Sequence, residues 1–204
     1  APSLSGNFQY AITSWAVGRV ADGDPLYLYL VDHGDPDLFY LNTGNQVVTT
    51  AQLESWLLAF EQQRPNSPLV VIIEACYSGS FITPPHSLSR QGRVIVTATK
   101  SGGEQNFARF GGFLAEALVD PSADLDKDEQ VSLFEAFLAG SQRTAEWYQD
   151  EGRLQTEHAL LDDNGDGLPD PSVPAGTSFT NRTFRFLAEG RYPSGIDGTA
   201  SGAF

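Results

Sequence analysis

Three short apolar runs constrain this chain more than anything else in it: Leu26-Tyr-Leu-Tyr-Leu-Val31, Leu69-Val-Val-Ile-Ile73 and Arg93-Val-Ile-Val-Thr-Ala-Thr99. Each is too short for an ordinary helix, rich in β-branched or aromatic residues, and preceded by turn-forming Pro or Gly. Hydrophobicity that is continuous rather than alternating marks strands buried on both faces, as in a parallel sheet covered by helices. Helical spacing fills the intervals. Phe8, Ile12, Trp15 and Ala16 predict a helix over 7–20 with Asn7 as N-cap, and Leu53, Trp56, Leu57 and Phe60 predict one behind a Thr49 or Thr50 cap. Further helices are expected over 110–119 and from the acidic segment to about Asp150, with a last helix or strand over 180–189. Residues 32–46 and 151–178 read as loops. The alternation of strand and helix predicts an α/β fold with a mostly parallel sheet.

Two of the runs lead into chemistry. The first continues as Asp32-His33-Gly34, and the second as Glu74-Ala75-Cys76-Tyr-Ser-Gly-Ser80. The C-terminal edge of a parallel sheet is where ligands bind in open α/β folds. A thiol and an imidazole delivered there are the two essential parts of a cysteine nucleophile site, because an imidazole beside a thiol favours the reactive thiolate. The backbone N–H groups of Gly34 and Cys76 are placed to serve as an oxyanion hole. Gly34 lets a substrate carbonyl approach closely. Cys76 is the chain's one cysteine, so it forms neither an internal disulfide nor part of a multi-cysteine metal cluster. It is a core thiol or a nucleophile, and its place at a strand tip opposite His33 favours the second. His86 and His158 read as ordinary hydrogen-bonded histidines, and Asp32 as structural, facing away from His33 on an extended strand.

At 204 residues with 41% hydrophobic content, the chain suffices for one domain with a sizeable core. No apolar stretch reaches the roughly 18–20 residues of a membrane span. The net charge of −14 is concentrated between Asp120 and Asp170, which hold 14 acidic and three basic residues. Such a field repels phosphate backbones and argues against nucleic-acid binding.

Val-Asp-His-Gly and Glu-Ala-Cys-Tyr-Ser-Gly-Ser resemble the two catalytic blocks of the legumain family of caspase-like cysteine peptidases, and the 43-residue separation of His33 and Cys76 suits neighbouring strands joined by a helix. A third block is similar over Val96-Thr-Ala-Thr-Lys-Ser-Gly-Gly-Glu-Gln-Asn-Phe-Ala108, and in the family the residues after that strand help shape the primary specificity pocket. The resemblance covers about residues 7–150 and implies a caspase-like three-layer sandwich; the domain is expected over residues 1–190, with an acidic insert at about 120–170 and a Gly/Ser-rich, loose tail over 191–204. It implies Cys76 as nucleophile, His33 as general base and acid, peptide or protein substrates, and Glu74, Glu104 and Asn106 as substrate-pocket residues. Glu74 has a plainer alternative as a strand-end carboxylate paired with an arginine. The family's first strand has no visible counterpart, so a strand–helix–strand unit is expected upstream of Ala1, in the same precursor.

Asp124 to Glu135 matches the twelve-residue EF-hand loop at most ligand positions. Calcium oxygens are expected from Asp124, Asp126, Asp128, the Gln130 carbonyl, Ser132 and Glu135. Glu129 stands where glycine normally allows the sharp turn, at a cost of about 1–2 kcal/mol. A second, incomplete loop offers Asp162, Asn164, Asp166 and Asp170, with Gly167 in the turn. Solvated turns are the alternative for both. Calcium loops and a single cysteine point to an extracellular setting, and Asn181-Arg-Thr183 matches a glycosylation acceptor pattern. The reading is thus a cysteine endopeptidase or transpeptidase; the alternative is a non-catalytic calcium-binding module, a pseudopeptidase, of a larger extracellular protein.

Overall fold

A computed structural model describes residues 4–42, 46–125 and 127–169. The three apolar runs form adjacent parallel strands: β1 (Leu26–Val31), β5 (Leu69–Glu74) and β6 (Arg93–Thr97). A short strand, β7 (Leu160–Asp162), pairs antiparallel with β6 and completes a sheet of order β1-β5-β6-β7. All six residues of β5 are buried, which explains their unbroken hydrophobicity. Two cores flank the sheet. On one face Val71, Ile73 and Ile95 meet Leu53, Leu57 and Phe60 of helix α2 (Thr50–Gln63). On the other, Val70, Ile72, Val94 and Val96 meet Phe110 and Leu114 of α3 (Arg109–Ala117) and Phe134 and Phe137 of α4 (Leu133–Asp150). The result is a caspase-like α/β/α sandwich.

Local chemistry sets where the helices begin. Thr49 caps α2 in a reciprocal capping box with Gln52, and Ser132 does the same for α4 with Glu135. Gly140 lets α4 approach α3 closely, since a Cβ there would lie 3.1 Å from the Leu114 backbone. Arg93, at the foot of β6, is fully buried and holds α2 to the sheet. Its guanidinium binds the Glu61 carboxylate through Nε and Nη2 at 2.6 and 2.8 Å, and it also pairs with Glu54.

Three expectations need correction. The N-terminal helix begins at Ser5 behind Leu4, so Asn7 lies inside it; α1 (Ser5–Tyr10) then continues as a π-helical segment, Ala11–Ala16. The expected 32–46 loop contains β2 (Gly34–Asp35) and β3 (Leu38–Tyr40), which with β4 (Val47–Thr49) make a small antiparallel sheet. Within 151–178, Leu160–Asp162 is strand rather than loop. Residues 170–204, including 180–189, Asp170 and Asn181, lie outside the described residues, as does Asp126.

Candidate active site

The register of the neighbouring strands β1 and β5 brings the segments that carry His33 and Cys76 to the same edge of the sheet. Every pair in the β1–β5 ladder, from Leu26↔Leu69 to Val31↔Glu74, is 43 residues apart, the separation of His33 and Cys76. The backbones stay together beyond the last pair, because the Asp32 N–H donates to the Glu74 carbonyl at 3.3 Å. Side chains alternate along each strand. Tyr29 and Glu74 meet on the α3 face, and His33 and Cys76 follow two residues beyond the last paired residues of β1 and β5. Gly34 is tight against the nucleophile's backbone, where a Cβ would lie 2.5 Å from the Cys76 carbonyl oxygen and 2.9 Å from Ala75 Cβ. His33 is exposed and Cys76 half-buried, so the pair faces solvent on a rigid floor.

The turn after Cys76 is braced from three sides. Tyr77 takes a left-handed conformation, φ +56°, which costs a residue with a Cβ about 1–2 kcal/mol. The Ser78 N–H donates to Thr99 Oγ1 at 2.9 Å, and the Thr99 N–H donates back to Ser78 Oγ at 3.1 Å. Thr99 Oγ1 also donates to the Ala75 carbonyl, fastening the β6 exit to the residue before the nucleophile. Gly79 allows this approach, since a Cβ there would stand 2.6 Å from the Ser101 nitrogen. On the other flank, Ser80 Oγ accepts from the Asp37 N–H at 2.9 Å and donates to the Tyr77 carbonyl at 2.7 Å. Strain at one residue is thus held by fixed bonds around it. Two backbone amides then stand at the thiol. The Asn106 N–H donates to Cys76 Sγ at 3.3 Å, and the Cys76 N–H meets no acceptor among the described residues.

Two residues before the thiol, Glu74 is buried at 3% exposure and pairs with no arginine among the described residues. It accepts the Tyr29 hydroxyl at 2.5 Å and rests on the first turn of α3, where any side chain at Gly111 would overlap the carboxylate. Its other oxygen, Oε1, has no hydrogen-bond partner among the described residues. Burial lifts its pKa above the usual carboxylate value. The Tyr29 hydroxyl and Gly111 N–H oppose that rise, and the nearby charge of Glu157 adds to it. Glu157, itself buried, accepts from the Arg109 N–H at 3.0 Å and from the Tyr148 hydroxyl at 2.8 Å, so it caps α3. Sequence reading missed Tyr29, Glu157, Thr99 and Gly111. Only the Val-Thr-Ala-Thr run after β6 carried any local signal.

The remaining expected pocket residues have other partners. The Glu104 carboxylate accepts from the Lys100 N–H at 2.8 Å and lies 2.6 Å from His158 Nδ1, so His158 is hydrogen-bonded as expected. Asn106 reaches the thiol through its backbone, while its side chain accepts from the Ala108 N–H. Asp32 Oδ1 accepts from the His33 N–H at 2.7 Å, fixing the imidazole's own residue rather than its ring.

In the acidic loops, carboxylates close turns on backbone amides. Asp124 accepts from Lys127, Asp128 and Glu129, and Glu129 adopts the left-handed turn, φ +73°, despite its Cβ. Asp128 accepts from the Gln130 N–H, and Glu135 from Ser132 and Leu125. Asp162 accepts from Gly165 and Gly167, Asn164 from Asp166, and Asp166 from Leu168. Among the described residues, no three His, Cys, Asp or Glu side chains converge to hold a metal.

The fold is a caspase-like sandwich that carries Cys76 and His33 just beyond the ends of adjacent parallel strands. The peptidase C13 family model matches residues 3–158, and the chain belongs to this legumain family of cysteine peptidases. No curated protein matches the chain. Among the described residues, no helix is long and apolar enough to cross a membrane.

Proposed function

We propose that the chain is an endopeptidase or transpeptidase working through a thioester on Cys76, with His33 as general base and acid. The supporting observation is the 43-residue offset of the β1–β5 ladder, which equals the separation of His33 and Cys76 in the sequence. His33 takes the thiol proton as Sγ attacks the scissile carbonyl carbon, and the oxyanion settles between the N–H groups of Cys76 and Gly34. His33 then gives the proton to the departing amine, leaving the acyl group on sulfur. Water, or a second amine in transpeptidation, attacks the thioester with His33 again as base, and the thiol is restored. Glu74, two residues before the thiol, is a pocket residue whose carboxyl is set by Tyr29 and α3. Cys76→Ala and His33→Ala are expected to abolish cleavage of a random peptide library, read by mass spectrometry, while melting as wild type does. Undiminished cleavage by Cys76→Ala would end the reading.

A structural calcium ion in the 124–135 and 162–170 loops, in an extracellular setting, belongs to the same proposal. Support comes from the left-handed turn at Glu129 and from Asp124 and Asp162 each gathering the amides of its loop. Binding would require those carboxylates to exchange amide partners for the ion. The melting temperature should rise in millimolar calcium relative to chelator, and an unchanged melt counts against the ion.

A further inference from the structure

Just past the amide that touches the thiol, the chain builds a second feature. Phe107, Arg109, Trp147, Arg153, Leu154 and Thr156 line a cavity of about 140 Å³. Both guanidiniums lie on one indole: Arg109 is 4.3 Å and Arg153 5.6 Å from the Trp147 ring centroid. Such stacking holds a cation in place and leaves its outer N–H groups available. Among the described residues, Arg90 and Arg93 pair with Glu54, Arg143 with Asp120 and Lys100 with Glu104, and the Arg64 guanidinium is taken up by backbone carbonyls. Arg109 and Arg153 pair with no carboxylate among the described residues. Glu157, which accepts from the Arg109 backbone N–H, is buried and is also occupied by the Tyr148 hydroxyl.

The loop carrying Phe107 and Arg109 is tied to both sites. Asn106 donates to Cys76 Sγ, and the Gln105 carbonyl accepts from Thr156 at the pocket wall. A peptide lying across the thiol therefore has this pocket within reach of a neighbouring side chain. We propose that the pocket is a subsite for an acidic residue, Asp or Glu, of the peptide substrate. The apolar walls receive the side-chain methylenes and the two guanidiniums bind the carboxylate. This assignment rests on the peptidase reading for its place in catalysis, but its binding can be measured apart from it.

The probes are the blocked pentapeptide Ac-Ala-Ala-Asp-Ala-Ala-NH2 and its Asn analogue, titrated by NMR into the full Cys76→Ala chain. The Asp peptide is expected to bind about fivefold to tenfold more tightly in low salt, with the difference fading near 0.5 M salt. Arg109→Gln with Arg153→Gln should erase the preference. Arg109→Lys with Arg153→Lys, which keeps the charge, should retain part of it, covering the case where the Gln variant fails to fold. Equal affinity for the two peptides, or an undiminished preference in the folded Gln variant, overturns the subsite. If the wild-type chain cleaves a peptide library with no acidic enrichment at any position, the subsite fails and the peptidase reading stands. If it cleaves nothing while the Asp preference holds, the peptidase reading fails and the binding pocket stands.

Discussion

Replacing Gly34 with alanine tests whether the fit of the two strand tips sets reactivity. The new Cβ would lie 2.5 Å from the Cys76 carbonyl oxygen and 2.9 Å from Ala75 Cβ. Non-bonded carbons prefer roughly 3.5–4.0 Å, and C–H···O contacts run near 3.3–3.6 Å, so the overlap is about 0.6–1 Å. Neither neighbour is a flexible side chain that can swing away. The His33–Gly34 segment must move off the Cys76 backbone by about that distance. A misplacement of about 1 Å in a catalytic pair costs on the order of a hundredfold in rate, or about 2.7 kcal/mol of barrier. The overpacking itself should cost about 1–3 kcal/mol of stability, leaving the chain folded at room temperature. The assay compares cleavage of the best-cut library peptide by wild type and variant, alongside thermal melts. Gly112→Ala is the control: nothing lies within 4 Å of its Cβ position on the exposed face of α3. That change should leave the rate alone and add about 0.5–1 kcal/mol of helix stability. A folded Gly34→Ala chain that cleaves within about threefold of wild type would refute the reasoning, since a shift of about 1 Å cannot cost so little.

Glu74→Gln tests the buried carboxyl. Its folded-state pKa is raised, chiefly by burial, so between the unfolded and folded values the native state binds the proton more tightly. Stability from this group is therefore greatest in acid and declines as pH rises through the folded value. The stability of wild type relative to Glu74→Gln should fall between pH 5 and pH 8 in denaturant titrations; a difference independent of pH contradicts the assignment. Arg93→Met leaves Glu54 and Glu61 without their shared, fully buried cation. Because both carboxylates keep some solvent contact, the loss should fall near the lower end of the usual figure, about 3 kcal/mol. A loss below about 1 kcal/mol would show the network to be no better than a surface pair.

Most of the sandwich was legible in the sequence because it rests on strong, local signals. The Val-rich runs became β1, β5 and β6 with nearly the expected ends, and Thr49 capped α2 as its position suggested. The elements that escaped are two or three residues long. Gly34–Asp35, Leu38–Tyr40 and Leu160–Asp162 are too brief to display a period, and β7 borrows its pairing from β6. The site divides in the same way. His33 and Cys76 announce themselves at strand ends, and their separation equals the strand register. Glu74's surroundings come from Tyr29, Gly111 and Glu157, residues brought together only by packing α3 on the sheet. Asn106, expected to line the substrate pocket, meets the thiol through a backbone amide that residue type does not specify.

The central claim is that His33 activates Cys76. With one cysteine in 204 residues, alkylation by iodoacetamide reports Cys76 alone and needs no knowledge of the substrate. Intact-mass kinetics near neutral pH would compare wild type, His33→Ala and the denatured chain. The account predicts that native Cys76 reacts at least about tenfold faster than the denatured thiol, and that His33→Ala removes most of that advantage. Equal rates in wild type and folded His33→Ala, or a native thiol slower than the denatured one, would contradict it.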